Sequence, residues 1–260
     1  PLVAEEDATA LRDPDNRGTL QKVVEHVKKL VPESDESASL RDLDAGSHTG
    51  GATERYWALD PIDGTKGFLR GDQYAIALGL IDSGRVVLGV LCCPNLVSPH
   101  GRGCLFSAVR GGGATSSSLT GGRLQPIQVA AVDNLAGAVF CESVEGRHTK
   151  HDQAARIAEY LGVTAEPIRI DSQCKYAAIA RGDATVYLRL PTSMDYEEKI
   201  WDHAAGCIIV EEAGGVVTDS VGQSLDFSLG RTLKGNTGVV ATNGGGHDEV
   251  IEAVQRVLCT

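Results

Sequence analysis

Trp57-Ala58-Leu59-Asp60-Pro61-Ile62-Asp63-Gly64-Thr65-Lys66-Gly67-Phe68 is the stretch of this 260-residue chain on which the fold turns. An apolar run delivers two carboxylates three residues apart, and Pro61 and Gly64 force a turn there. Asp60 and Asp63 therefore converge on one point, with the Ile62 carbonyl between them. Hard divalent cations such as Mg²⁺ take oxygen ligands of this kind. Gly64 lets the backbone approach an anion closely, and Thr65 adds a hydroxyl able to orient a water or hold a phosphate oxygen. Taken alone, the motif reads more readily as a capped turn with solvated aspartates.

Two further pieces change that reading. Glu5-Glu6-Asp7 follows a short apolar stretch, so its carboxylates stand at a predicted strand end. Trp201-Asp202-His203-Ala204-Ala205-Gly206 puts a carboxylate at the start of an apolar helix, where a plain N-cap is the ordinary explanation. Together Glu5, Asp60, Asp63 and Asp202 supply enough oxygen for two adjacent Mg²⁺ ions. Paired metals clamp the attacking and leaving oxygens of an in-line phosphoryl displacement.

Composition narrows the partners. Lys plus Arg is 24 against 35 for Asp plus Glu, a net charge of −11, which argues against binding long nucleic acids. A small anionic ligand is compatible if local cations or metals offset the acids. No run approaches the ~18 apolar residues of a membrane span. No cleavable signal precedes Glu5-Glu6-Asp7, and the absence of an initiator Met suggests that the natural start lies upstream. The seven cysteines form no CxxC pair and mostly sit in apolar stretches, which reads as buried thiols in a reducing compartment. A redox-responsive pair among Cys92, Cys93 and Cys104 is the sharper alternative.

Along the chain, Leu20, Val23, Val24, Val27 and Leu30 show helical spacing with Thr19 as N-cap. Residues 31–51, rich in Ser, Asp and Gly, read as a mobile loop. Tyr74–Asp82 and Arg85–Cys92 form a hairpin through Asp82-Ser83-Gly84, followed by a β region at 104–129. Residues 149–161 read as a helix and 183–190 as a strand. Asp202–Ala213 reads as a buried helix closed by Gly214-Gly215. Short strands at 216–218 and 238–242 and a final amphipathic helix complete the chain. The changeover near residue 140 suggests two lobes, 1–140 and 141–260.

The ordered set DPIDGT, an upstream EE pair, WD-x-A-A-G and EEAGG resembles the inositol monophosphatase superfamily of lithium-sensitive, magnesium-dependent phosphatases. The KGFLRGDQYA extension after the first motif, Asp171-Ser172-Gln173-Cys174-Lys175-Tyr176, Val186-Tyr187-Leu188-Arg189 and Glu198-Lys199-Ile200-Trp201-Asp202-His203 look like its 3′(2′),5′-bisphosphate nucleotidase branch. The resemblance implies an α/β fold of alternating αβαβα layers with metals between the lobes. It implies Glu5, Asp60, Asp63 and Asp202 as side-chain ligands of two or three Mg²⁺ ions, displaced in part by Li⁺, and Ile62 as a ligand through its carbonyl. It implies that Thr65, with Asp63, helps activate the attacking water. The resemblance also implies that Gly64, Thr65, His148, Ser172, Lys175, Arg189 and Asp202 hold adenosine 3′,5′-bisphosphate, with Lys175 and Arg189 supplying the cations the acidic chain lacks overall. The family carries a further N-terminal segment with a proton-accepting aspartate. The implied activity is loss of the 3′-phosphate to give AMP, with the sulfated analogue as a second substrate. An inositol polyphosphate 1-phosphatase and a non-catalytic nucleotide or metal sensor are the alternatives. A monomer is expected, in the cytoplasm or, for a plant protein, in the chloroplast or mitochondrion.

Overall fold

Alternation of apolar residues builds the first sheet. In the strand Ala75–Asp82 every second residue is buried, as a sheet covered tightly on one face requires. The structure, a computed structural model, describes residues 1–260 except 100, 133, 145–150, 192, 194, 195 and 260. Its first sheet runs in sequence order through β1 (Leu2–Ala4), β2 (Arg55–Asp63), β3 (Ala75–Asp82), β4 (Arg85–Ser98), β5 (Gly101–Val109), β6 (Ala114–Ser118) and β7 (Gln125–Ile127). Only the β1–β2 pair is parallel; the rest is an antiparallel meander. The predicted hairpin is present, with Ser83 and Gly84 at positive φ in its turn.

The second sheet has the order β11-β12-β10-β8-β9, from β8 (Phe140–Glu142), β9 (Ile168–Arg169), β10 (Val186–Arg189), β11 (Val216–Thr218) and β12 (Val239–Thr242). Between the sheets lie α5 (Cys174–Arg181) and α6 (Ala204–Glu212), buried along almost their whole length. A helix apolar all round belongs in such a layer. Its close seat is set by Gly79 and Gly89, paired across β3 and β4. A Cβ on these would stand 2.8 Å from the Ala204 Cβ and 2.5 Å from the Ile208 Cγ2. On the far face of the second sheet, α4 (His151–Tyr160) and α7 (His247–Leu258) bury Ile157, Val250 and Val254 against Phe140, Leu188 and Val240. The result is the layered α/β architecture expected.

Two local readings are corrected. The first helix, α1 (Arg17–Leu30), starts after Asn16, so Thr19 lies inside it and caps nothing. The loop expected at 31–51 contains α2 (Glu36–Asp44), nucleated where the Asp35 side chain accepts the Ala38 N–H at 2.7 Å. Asp and Ser there act as cap and helix residues rather than as loop formers. This segment is tied to β1 through the Ala4 N–H, which donates to the Gly46 carbonyl at 2.8 Å.

Candidate active site

Asp60 and Asp63 are separated by three positions, which in a regular strand would place them on opposite faces. The ladder between β2 and β3 slips at this point: Asp60 faces Ala77, but Asp63 faces Ala75. The extra residue at Pro61-Ile62 is a bulge, and it returns both carboxylates to one side. The Asp60 Oδ1 accepts the Ile62 N–H at 3.0 Å, so the capped turn also exists and fixes the bulge. Past the strand, Gly64 at φ 82° leads into α3 (Thr65–Arg70). A Cβ on Gly64 would stand 2.8 Å from the Ser172 Cβ, so only glycine fits this crossing. Ser172 itself is held at φ 66°, a left-handed conformation that costs a non-glycine residue about 1–3 kcal/mol and clusters at functional sites.

The crossing closes one wall of a cavity of about 340 Å³ between the ends of the two sheets. Glu5, Asp60, Ile62, Asp63, Gly64, Thr65, Ser172, Lys175, Arg189 and Asp202 all line it. Every predicted site residue is thus brought together except His148, which lies outside the described residues. Asp202 is not the plain N-cap it resembles. It sits in a 3₁₀ turn before α6, whose N-cap position is His203 without a side-chain cap bond, and its carboxylate meets those of Asp60 and Asp63 within 4.8 Å.

The charges in this cluster are strained. Asp60 is 1% exposed; its carboxyl is pushed up to about 9 by burial and then by the charges of Asp63, Glu5 and Asp202. Asp63 is raised to about 6 by burial and Asp202, with Lys175, the Gln173 N–H and Arg189 pulling the other way. Glu5 is raised by burial and exchanges a hydrogen bond with Asp60. Carboxylates crowded beyond what the surrounding cations offset, next to Ile62 in the cavity lining, fit a hard divalent cation.

A second set of acids has cations of the chain itself against it. Glu198 is buried and held down at about 2 against the cost of burial, because His203 and Arg189 both bond it. Arg189 Nε donates to its Oε2 at 2.7 Å, and His203 Nε2 lies 3.1 Å from the same oxygen. The other ring nitrogen of His203 meets the Tyr176 hydroxyl at 2.7 Å. Arg189 reaches Asp202 as well, through Nη2 at 3.3 Å. Asp171 is bonded by Arg70 and accepts the Val144 N–H at 3.1 Å. Although Glu198, Asp202 and His203 also cluster within 4.8 Å, the guanidinium already occupies the place a cation would take.

These partners were missed as functional residues in the sequence. The only signal was that Glu198 and His203 flank Asp202 in one quoted segment; nothing linked them to Tyr176 or Arg189. Facing the acids, Lys175 is buried, with Nζ 3.3 Å from the Ile170 carbonyl and 5.3 Å from the Tyr187 ring centroid. Burial lowers its pKa, opposed by Asp63. Thr65 Oγ1 donates to the Ile62 carbonyl at 3.4 Å and keeps its lone pairs for another donor. All seven cysteines are free thiols. Cys93 and Cys104 sit opposite each other across β4 and β5, and burial pushes the Cys93 thiol well up, which disfavours the reactive thiolate.

The profile of the Inositol monophosphatase family matches residues 17–258, a span that holds every lining residue named above except Glu5. The chain is 47% identical to the 3′(2′),5′-bisphosphate nucleotidase of Emericella nidulans, over 99% of this chain and 81% of that protein. It is 49% identical to the 3′(2′),5′-bisphosphate nucleotidase of Oryza sativa, over 99% of this chain and 76% of that one. Among solved structures it is similar to Mycobacterium tuberculosis SuhB, at 27% identity and a TM-score of 0.60, covering 93% of this chain and 89% of that one. With a slipped strand gathering the carboxylates, and a profile and relatives spanning nearly the whole chain, the protein belongs to the inositol monophosphatase family.

Proposed function

We propose that this protein is a Mg²⁺-dependent phosphatase that hydrolyses the 3′-phosphate of adenosine 3′,5′-bisphosphate to AMP and phosphate, and that also accepts the sulfated analogue. The names carried by its relatives at 47% and 49% identity support the substrate. The observation that carries the chemistry is the meeting, in one cavity, of three crowded aspartates with Lys175 and Arg189.

In this reading Glu5, Asp60, Asp63, Asp202 and the Ile62 carbonyl would hold two or three Mg²⁺ ions. Bound there, Mg²⁺ supplies Lewis-acid stabilisation of the charge on the phosphoryl oxygens. The chain's own groups do the rest. Lys175 and Arg189 grip phosphate oxygens, and a guanidinium fork suits a phosphate edge. Ser172 and Gly64 shape the close approach of backbone to ligand, and His148 is assigned to the nucleotide by resemblance. The Thr65 hydroxyl, anchored on Ile62, accepts a hydrogen bond from the attacking water and fixes its direction, while Asp63 keeps the turn charged. The water oxygen bonds phosphorus and gives up one proton as the bond to the 3′-oxygen breaks, and that oxygen takes up one proton in turn and leaves as the hydroxyl of AMP.

The reading further takes two lobes meeting near residue 140, inhibition by Li⁺ at millimolar levels, a monomer, and an intracellular reducing setting. Among the described residues no helix is long and apolar enough to cross a membrane. Phosphate release from adenosine 3′,5′-bisphosphate and from an inositol 1,4-bisphosphate, each with Mg²⁺, with EDTA and with 20 mM Li⁺, tests it. Mg²⁺-dependent, Li⁺-sensitive release favouring the nucleotide is expected. Preference for the inositol ester would overturn the substrate, and nucleotide binding without turnover would overturn the enzyme.

A further inference from the structure

Arg189 stands between two carboxylates that compete for it. Its Nε donates to Glu198 at 2.7 Å, while its Nη2 lies 3.3 Å from the Asp202 Oδ2, the longer and weaker contact. An arginine left with one carboxylate closes both donors of an edge on it, forming a bidentate pair. Here that edge is split. The Nη2 also lies 3.4 Å from the Tyr196 hydroxyl, and Arg189 lines the cavity.

Glu198 is built to hold its half of this split. Its side chain is 5% exposed, and its backbone carbonyl accepts the Leu233 N–H at 2.8 Å. The Oε2 that takes Arg189 is also fixed by His203, fully buried, whose ring is fixed in turn by Tyr176 of α5. A Tyr–His–Glu chain from the layer between the sheets thus sets where the guanidinium sits.

We propose that Glu198 is a positioning residue that draws Arg189 away from Asp202, so that Asp202 stays available to a divalent cation and Arg189, lining the cavity, stays available to substrate phosphate. This rests on the cation and phosphate roles proposed above for Asp202 and Arg189. With Glu198 neutral, Arg189 closes on Asp202 as a bidentate pair, and one arginine then blocks a cation ligand and turns away from the ligand phosphate. A purely structural role for Glu198 makes neither statement.

The test is Mg²⁺ titration by calorimetry of the wild type, E198Q, E198D, R189M and the E198Q/R189M double variant, with thermal unfolding midpoints and steady-state kinetics on adenosine 3′,5′-bisphosphate. E198Q should weaken Mg²⁺ binding roughly tenfold, the scale of one competing charge-assisted bond. It should raise KM by a similar factor and restore most of kcat at saturating Mg²⁺. In the R189M background the same change should alter Mg²⁺ affinity less than about twofold, because the competitor is gone. E198D keeps the charge and should keep Mg²⁺ affinity while KM rises; E198A, which also removes the charge, takes the place of E198Q if that variant fails to fold. Equal Mg²⁺ affinity in folded E198Q and wild type would overturn the proposal. So would an equal penalty with and without Arg189, or an E198D as weak as E198Q. A wild type that binds no Mg²⁺ would instead overturn the cation reading beneath it, and this proposal with it.

Discussion

Two groups of carboxylates lie in and beside one cavity, and the fold gives them different partners. Glu198 and Asp171 are buried but have arginines against them, and Glu198 is held at about 2. Asp60 and Asp63, on the neighbouring strand end, are pushed up to about 9 and about 6. Burial acts on Glu198 in the same direction as on Asp60 and Asp63, so burial does not separate them. What separates them is whether the fold supplies a cation. The first group is neutralised by the chain and can only position. The second is left short of positive charge and is where an outside cation gains most. Acidic clusters are poor indicators of metal sites by count; the sign of their strain is the better guide.

The sharpest way to break this contrast is Asp63→Asn. It removes a charge from the crowded group, so metal affinity and phosphate release should fall at least about 10²- to 10³-fold. The unfolding midpoint of the metal-free protein should hold or rise, since like-charge repulsion falls with it. Near-normal turnover at low Mg²⁺ would end the assignment. Next in size are Lys175→Ala and Arg189→Ala. Each removes a charge-assisted contact to a part of the ligand that does not react, about 1.5–3 kcal/mol. That corresponds to a KM raised on the order of 10- to 100-fold with a smaller loss in kcat. Wild-type KM in both would remove the nucleotide reading.

A smaller effect sharpens the contrast through pH. Asp60 and Asp63 in the fold hold their protons above the ordinary carboxylate range, so between about pH 4 and 9 the folded state binds more protons than the unfolded one. Stability of the metal-free protein should therefore fall as pH rises through that window. Mg²⁺ should raise the unfolding midpoint by a few degrees, and by more at pH 8 than at pH 5.5. Glu198 has the opposite sign: its contribution is complete above its unfolded pKa near 4.5 and is lost as pH falls toward 2. Differential scanning calorimetry at those two pH values and at about pH 3, with and without Mg²⁺, reads the two groups separately. An increment independent of pH would contradict the difference between them.

Much of the site was legible because its chemistry is local. Asp60, Asp63, Gly64 and Thr65 sit in one turn, and the order of the EE, DPIDGT and WD segments carried the layered fold with it. The bulge was not legible: composition marks Pro61 as a break, but only pairing with β3 shows the slip that turns Asp63 to the side of Asp60. The Glu198–His203–Tyr176 chain was invisible for a similar reason, since Tyr176 reaches His203 only through the packing of α5 on α6. In residues 31–51 local composition misled. The same Asp and Ser that favour loops also favour a helix start, and Asp35 takes the second role.

The central claim is that the crowded carboxylates of Asp60, Asp63 and Asp202, and not those of Glu198 and Asp171, hold the cation. Crystals grown with Mn²⁺ in place of Mg²⁺ and measured at the manganese absorption edge locate it directly. The expected result is anomalous density bounded by Asp60, Asp63 and Asp202, with Glu198 still on Arg189. Density between Glu198 and His203, or none at either place, would contradict it.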